Sequence, residues 1–164
     1  MVAVTRFGRE ATGSQWVSLG DPVMGGRSTG RVTPVDDTIS VFHGEVSLAN
    51  GGGFASVKCD LPPLDLSGSE GLVLGACGDG KVYKFGIRVT WDRNAPVYQQ
   101  AFATEAAVWQ RINLPFHRFT PTFRGRVLAD AAALDPAKVS SLSLFVADKQ
   151  AGPFELMLRA IDTY

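Results

Sequence analysis

Four stretches of the chain set polar side chains inside glycine or aromatic frames, and each could do binding chemistry. In Asp21-Pro22-Val23-Met24-Gly25-Gly26-Arg27-Ser28 a glycine pair lets the backbone turn tightly or a partner approach closely. Asp21 and Ser28 can bond nearby backbone amides, so a turn organised by Asp21 competes with a binding loop. In Asn50-Gly51-Gly52-Gly53-Phe54-Ala55-Ser56 three glycines cost conformational entropy, which fits a hairpin loop or a demanding close contact. Within Trp109–Gly125 the side chains of Phe116, Phe119 and Phe123 read as a cover for one end of a core. Arg124, pinned between Phe123 and Gly125, reads there as a partly buried, paired or ligand-facing charge. Asp148-Lys149-Gln150-Ala151-Gly152-Pro153-Phe154 is a polar loop ahead of an apolar run.

Other chemistries lack their residues. Gly25–Gly30 has neither the lysine nor the following helix of a phosphate loop. Gly75–Gly80 reads G-A-C-G-D-G, outside the dinucleotide-binding order and outside any βαβ unit. Cys59, Cys77, His43 and His117 are scattered singly, without the paired spacing of a zinc site. Asp36-Asp37 and Gly78-Asp79-Gly80 could contribute to a calcium site, but no twelve-residue calcium loop is present. No Gly-x-Ser-x-Gly elbow positions a nucleophile. The expectation is a non-enzymatic protein without cofactor or metal.

The elements that must hold these stretches are strands. Val82–Thr90 alternates Tyr83, Phe85, Ile87 and Val89 against Lys84, Gly86, Arg88 and Thr90, the period of a half-buried antiparallel strand. Thr38–Phe42, Phe54–Cys59, Leu72–Ala76, Tyr98–Phe102, Val108–Leu114, Leu142–Val146 and Phe154–Ile161 behave likewise. Asp36-Asp37, Asn50–Gly53, Gly78–Gly80, Asn94–Pro96 and Ala151–Pro153 punctuate them. Short strands so spaced predict an all-β sandwich or jelly roll. Helix is confined to a turn or two at Asp135–Val139, with Asp135 as cap and Pro136 in first position. The chain of 164 residues reads as a single domain with its core over about 14–164 and residues 1–13 as a loosely held lead-in.

Sixteen basic and sixteen acidic side chains balance to zero, which argues against a globally basic nucleic-acid binder. Residues 81–126, however, hold eight basic side chains against Asp92 and Glu105, a local net of +6. That segment is either a set of solvated strand faces or a basic patch. Cys59 and Cys77 lie in apolar alternating segments and read as buried thiols, with a disulfide left open. No apolar run approaches the ~18 residues of a membrane span, so a soluble protein of a reducing compartment is expected.

Taken in order, several strings resemble the complex I intermediate-associated protein 30 family. They are Trp16…Asp21-x-Val23-Met24-Gly25-Gly26-x-Ser28, Phe42-x-Gly44…Gly52-Gly53-Phe54-Ala55-Ser56 and Gly78-Asp79-Gly80-x-x-Tyr83. Then follow Trp109-x-x-Ile112-x-Leu114-Pro115-Phe116-x-x-Phe119-x-Pro121-x-Phe123-Arg124-Gly125 and Asp148-x-Gln150-x-Gly152-Pro153-Phe154-x-Leu156. The resemblance implies a galactose-binding-like jelly roll. It implies a chaperone role toward intermediates of NADH:ubiquinone oxidoreductase, with photosystem assembly or a dehydrogenase-like partner as the other associations of related domains. The chain departs from the mitochondrial form in beginning almost directly at the domain without a transit-like extension, so a compact bacterial member is expected, cytoplasmic or peripheral to the inner membrane, with the mitochondrial matrix as the place if eukaryotic.

On this reading one loop edge, formed by Asp21, Met24, Gly25, Gly26, Arg27, Ser28, Gly52, Gly53, Phe54, Arg124, Asp148 and Gln150, contacts a client. Met24 and Phe54 supply apolar contact, and Arg124 and Arg88 supply charge-assisted hydrogen bonds. The alternative is a carbohydrate or other small-ligand module, in which Trp91, Tyr98 and Trp109 stack on sugar while Asp21, Arg88, Arg124 and Gln150 bond hydroxyls.

Overall fold

The structure is a computed structural model and describes residues 2–11, 15–20, 29–49, 53–148 and 150–164. Its strands are β1 Ala3–Arg6, β2 Val17–Gly20, β3 Thr29–Pro34, β4 Ser40–Val46, β5 Ala55–Leu64, β6 Gly71–Cys77 and β7 Val82–Arg88. They continue with β8 Val97–Ala103, β9 Trp109–Pro115, β10 Thr120–Phe123, β11 Arg126–Val127, β12 Val139–Val146 and β13 Gly152–Thr163. A six-stranded sheet runs β3-β4-β13-β6-β9 with β1 also on β13, and a seven-stranded sheet runs β11-β10-β8-β7-β12-β5-β2. The pairings between these strands are antiparallel.

Alternation decides what lies between the sheets. Tyr83, Phe85 and Ile87 of β7 are fully buried, as are Leu142, Leu144 and Val146 of β12. Phe42, Leu156 and Leu158 meet them from the other sheet. In β13 the inward series skips from Leu158 to Ile161, because a bulge between Leu158 and Ala160 shifts the register on β6. Cys59 on β5 and Cys77 on β6 are buried thiols. Asp135 caps a 3-10 turn at Pro136–Lys138, its side chain accepting from Ala137 N at 3.0 Å. Among the described residues no helix is long and apolar enough to cross a membrane.

The expected lead-in is in fact part of the sandwich. β1 pairs with the end of β13, and Arg6 meets Asp162 at 2.7 Å. Phe7 is 3% exposed and its ring stacks on Trp16 at 5.7 Å. A four-residue strand with a threonine and an arginine carries too little alternation to read as one, and its place comes from the partner strand. The three-phenylalanine cover also needs correction. Phe116, in a 3-10 turn at Phe116–Arg118, and Phe119 belong to the core, whereas Phe123 is only half-buried on the β10–β11 hairpin.

The register defines two ends. At one, the upper end, Gly20, Ala55, Val146, Tyr83 and Phe102 lie side by side on neighbouring strands. Val46 beside Gly152 and Cys77 beside Trp109 mark the same end of the other sheet. The β4–β5, β6–β7, β8–β9 and β12–β13 connections therefore emerge together. The lower end holds the β3–β4, β5–β6 and β7–β8 connections.

Candidate functional site

The upper end is built around the Gly78-Asp79-Gly80 turn. A Cβ on Gly78 would lie 2.2 Å from Thr104 Cβ, so the glycine admits the β8–β9 connection. Gly80 has φ +92, a conformation that favours glycine. Thr104 Oγ1 donates to Lys81 O at 2.7 Å and accepts from Gly80 N at 3.1 Å, locking the two turns together.

Between them Asp79 reaches across the sandwich. One carboxylate oxygen accepts from Tyr83 O–H at 2.9 Å and Lys81 N–H at 3.2 Å; the other accepts from Glu155 N–H at 2.9 Å. Lys81 Nζ lies 3.6 Å from the same carboxylate and donates to Pro153 O at 3.0 Å. Burial alone would raise the Asp79 pKa; the hydrogen bonds from Glu155, Tyr83 and Lys81, with the Lys81 ammonium, outweigh it and hold the pKa below the ordinary carboxylate value. Burial first, and then the Asp79 carboxylate, pushes the Tyr83 phenol far above its usual range. The family-like string Gly78-Asp79-Gly80-x-x-Tyr83 is thus one rigid corner.

Gln150 makes a second clamp. Its amide N–H groups donate to Val82 O at 2.7 Å and Ala147 O at 2.9 Å, while its carbonyl accepts from Val82 N at 3.0 Å. The side chain substitutes for a neighbouring strand at the start of β7. All its hydrogen-bonding capacity toward β7 is spent internally, so Gln150 shapes the end rather than reaching a ligand. Gln150→Leu is expected to cost about 1–2 kcal/mol in chemical denaturation and to speed amide exchange at Val82; unchanged exchange would disprove the clamp.

The sequence-derived site residues divide as follows. Asp21, Met24, Gly25, Gly26, Arg27, Ser28 and Gly52 lie outside the described residues; Gly20 and Thr29, on either side of the first six, are at the upper end. Gly53, buried with φ +144, and half-buried Phe54 lead into β5 there. Asp148, with φ +59, holds an exposed carboxylate 3.3 Å from Lys84 Nζ. Trp109 opens β9 on the outer face of the six-stranded sheet, where the Arg159 guanidinium covers its ring at 4.2 Å. Tyr98 is 5% exposed and donates to Ala132 O, so it cannot stack on a sugar as expected.

Arg88 and Arg124 are at the other end, which corrects the expectation of one shared edge. After β9 the chain crosses to the seven-stranded sheet without reversing. Thr120 pairs with Gln99 and Thr122 with Val97, so β10 runs down toward the start of β8. The hairpin tip therefore points downward. Arg124 and Gly125, with φ +50 and +81, form its two-residue turn between the paired Phe123 and Arg126, with the positive φ pair of a type I′ turn. Arg124 is exposed, not partly buried, and its guanidinium rests on the Phe123 ring at 5.3 Å. Arg88 ends β7 and donates to Asp92 O.

Sequence reasoning missed the apolar groups of the upper end. Leu48, Val82 and Val108 are 49%, 40% and 42% exposed there. Single aliphatic residues beside turns carry no distinctive spacing, and only the register brings them to one end. On the outer face, His43, Gly44, Asp79, Lys81, Pro153, Phe154 and Glu155 line an open depression of about 340 Å³. Thr33 Oγ1 lies 2.9 Å from His43 Nε2 on the same face.

A family model described as complex I intermediate-associated protein 30 matches residues 5–158. The mouse mitochondrial protein of that name is 24% identical over 98% of this chain, and this chain spans 55% of its length. A Schizosaccharomyces pombe protein of uncharacterised function is 36% identical over 55 residues, 32% of this chain and 25% of its own length. Among solved structures, a Clostridium thermocellum family 11 carbohydrate-binding module, in complex with a mixed-linked tetrasaccharide, superposes with TM-score 0.68 at 13% identity. The superposition covers 99% of this chain and 96% of that one. The fold is accordingly a galactose-binding-like jelly roll.

Proposed function

Because the chain belongs to the complex I intermediate-associated protein 30 family, we propose that it is an assembly factor that binds intermediates of NADH:ubiquinone oxidoreductase. It acts without chemistry, holding a client surface at its upper end until the next subunit arrives. The observation that carries this reading is the match to the family over 5–158. The geometry agrees with it. The Asp79 corner and Gln150 spend their polar groups on fixing the turns of the upper end, while Leu48, Val82 and Val108 are exposed there. A rigid frame presenting apolar side chains binds with little ordering cost.

The test is affinity capture of the tagged chain after mild crosslinking, with mass spectrometry of what co-purifies. Complex I subunits are expected with the wild type and at least tenfold less with Leu48→Glu/Val108→Glu, whose sites are exposed enough to leave folding intact. Photosystem subunits in their place would change the client and keep the mechanism. Recovery of no membrane-complex subunit would overturn the reading.

A second reading, carbohydrate binding, is favoured by the depression bounded by His43, Lys81 and Glu155, whose volume of about 340 Å³ falls in the range of small-ligand sites. Calorimetric titration with a mixed-linked glucan tetrasaccharide tests it. Heat that disappears in Glu155→Gln would support this reading; no heat with wild type would remove it.

A further inference from the structure

The lower corner of the seven-stranded sheet carries a surface that the assembly reading does not use. The β7–β8 connection, residues 89–96, and the β10–β11 turn leave from adjacent strands. Thr122 pairs with Val97, so the hairpin tip at Arg124 and the end of that connection lie at the same end of adjacent strands. Two apolar side chains project from this corner. Trp91 is 64% and Val127 67% exposed, the highest values among the described large hydrophobic residues. Trp91 is held in place, its indole N–H donating to Ser140 O at 3.2 Å. Arg93 lies on the same connection as Trp91, and Arg124 and Arg126 on the same hairpin as Val127; all three are exposed. No ion pair among the described residues neutralises them.

Arg124 adds an independent sign. It occupies φ +50 in a turn position that asparagine or glycine fills at lower cost, and conformations of that kind cluster where a side chain has work to do. This arrangement collects part of the +6 of residues 81–126 at one corner.

We propose that this corner seats the protein on an anionic lipid surface. Trp91 and Val127 enter the headgroup region, and Arg93, Arg124 and Arg126 contact lipid phosphates. An indole with its N–H satisfied and an apolar body exposed suits the membrane interface, and arginines around it are drawn to a negative surface potential. An acidic protein would satisfy the arginines equally, but it would leave unexplained two apolar side chains as exposed as Trp91 and Val127. The surface is remote from the upper end, so client and membrane can be held together.

Co-sedimentation of the full chain with vesicles of phosphatidylcholine, alone or mixed with phosphatidylglycerol, tests this. Binding is expected only to the mixed vesicles, with a blue shift of tryptophan emission that Trp91→Phe reduces. Each of Arg93→Gln and Arg126→Gln should weaken affinity about fivefold, and added salt should weaken it further. Arg124→Asn should weaken it by the same factor while raising the Tm, a pairing that no folding defect produces. No preference for anionic vesicles, or full affinity in the arginine variants, would overturn the proposal. Binding to polyglutamate without binding to vesicles would also overturn it, and would assign the corner to an acidic protein. Client capture by the upper end is scored separately and can fail or succeed without altering this result.

Discussion

Gly44→Ala is expected to destabilise the protein by about 3–5 kcal/mol, a large part of the 5–15 kcal/mol that holds a typical domain. Gly44 lies inside β4 with φ +157, flanked by Gly30 of β3 and Phe154 of β13. A Cβ there would sit 2.0 Å from Thr29 O and 3.0 Å from Gly30 Cα. Both obstacles are backbone, so no side chain can swing aside; β3 must separate from β4 or the strand must lose its twist. The Phe42-x-Gly44 string thus combines a fully buried ring with a required close approach of β3. Urea denaturation checks it: a midpoint within error of wild type would show that β3 can yield.

Asp79→Ala has the second largest expected effect, about 2–4 kcal/mol. The substitution strands the buried Tyr83 hydroxyl, leaves the exposed Glu155 N–H to water and removes the partner of Lys81, and an abandoned buried group costs about 1–3 kcal/mol. Tyr83→Phe alone should cost about 1 kcal/mol, and the double variant should cost less than the sum of the singles. The pH dependence has a definite sign. The folded pKa of Asp79 lies below the unfolded value of 3.8, so its contribution is present above about pH 4 and is lost as pH falls through the folded pKa. The carboxyls of Asp36 and Asp65, lowered by the turn amides and hydroxyl they accept from, act over the same window. Asp79→Asn should therefore narrow the stability difference between pH 6 and pH 3, and an unchanged difference would exclude Asp79 as a contributor.

Strands whose two faces differ were readable from their residues. Val82–Thr90 and Leu142–Val146 declare an apolar face whatever they pair with. β1, β3, β10 and β11 were not readable, because Ala3–Arg6 or Arg126–Val127 acquires strand geometry only from its neighbour. The short helical turn at Pro136 was readable from a cap and a proline, which act locally. The site was legible only in part for the same reason. Gly78-Asp79-Gly80 marks a tight turn, yet the reach of Asp79 to Glu155 spans 76 positions of sequence. The separation of Arg124 from Asp148 and Gln150 depends on one fact, that β10 continues the direction of β9, and no residue at 116–119 announces it. Gln150 looked like a ligand group because a free amide and an amide that caps a strand have the same spelling.

The proposed function requires the upper end to engage an intermediate of NADH:ubiquinone oxidoreductase. The most direct measurement is native electrophoresis of solubilised membranes from cells lacking the protein, with mass-spectrometric profiling of complex I subunits across the gel. Membrane-arm intermediates are expected to accumulate short of the full complex, with their progress restored by the wild-type chain and not by Leu48→Glu/Val108→Glu. Full assembly of the complex at the wild-type rate without the protein would contradict the proposed function.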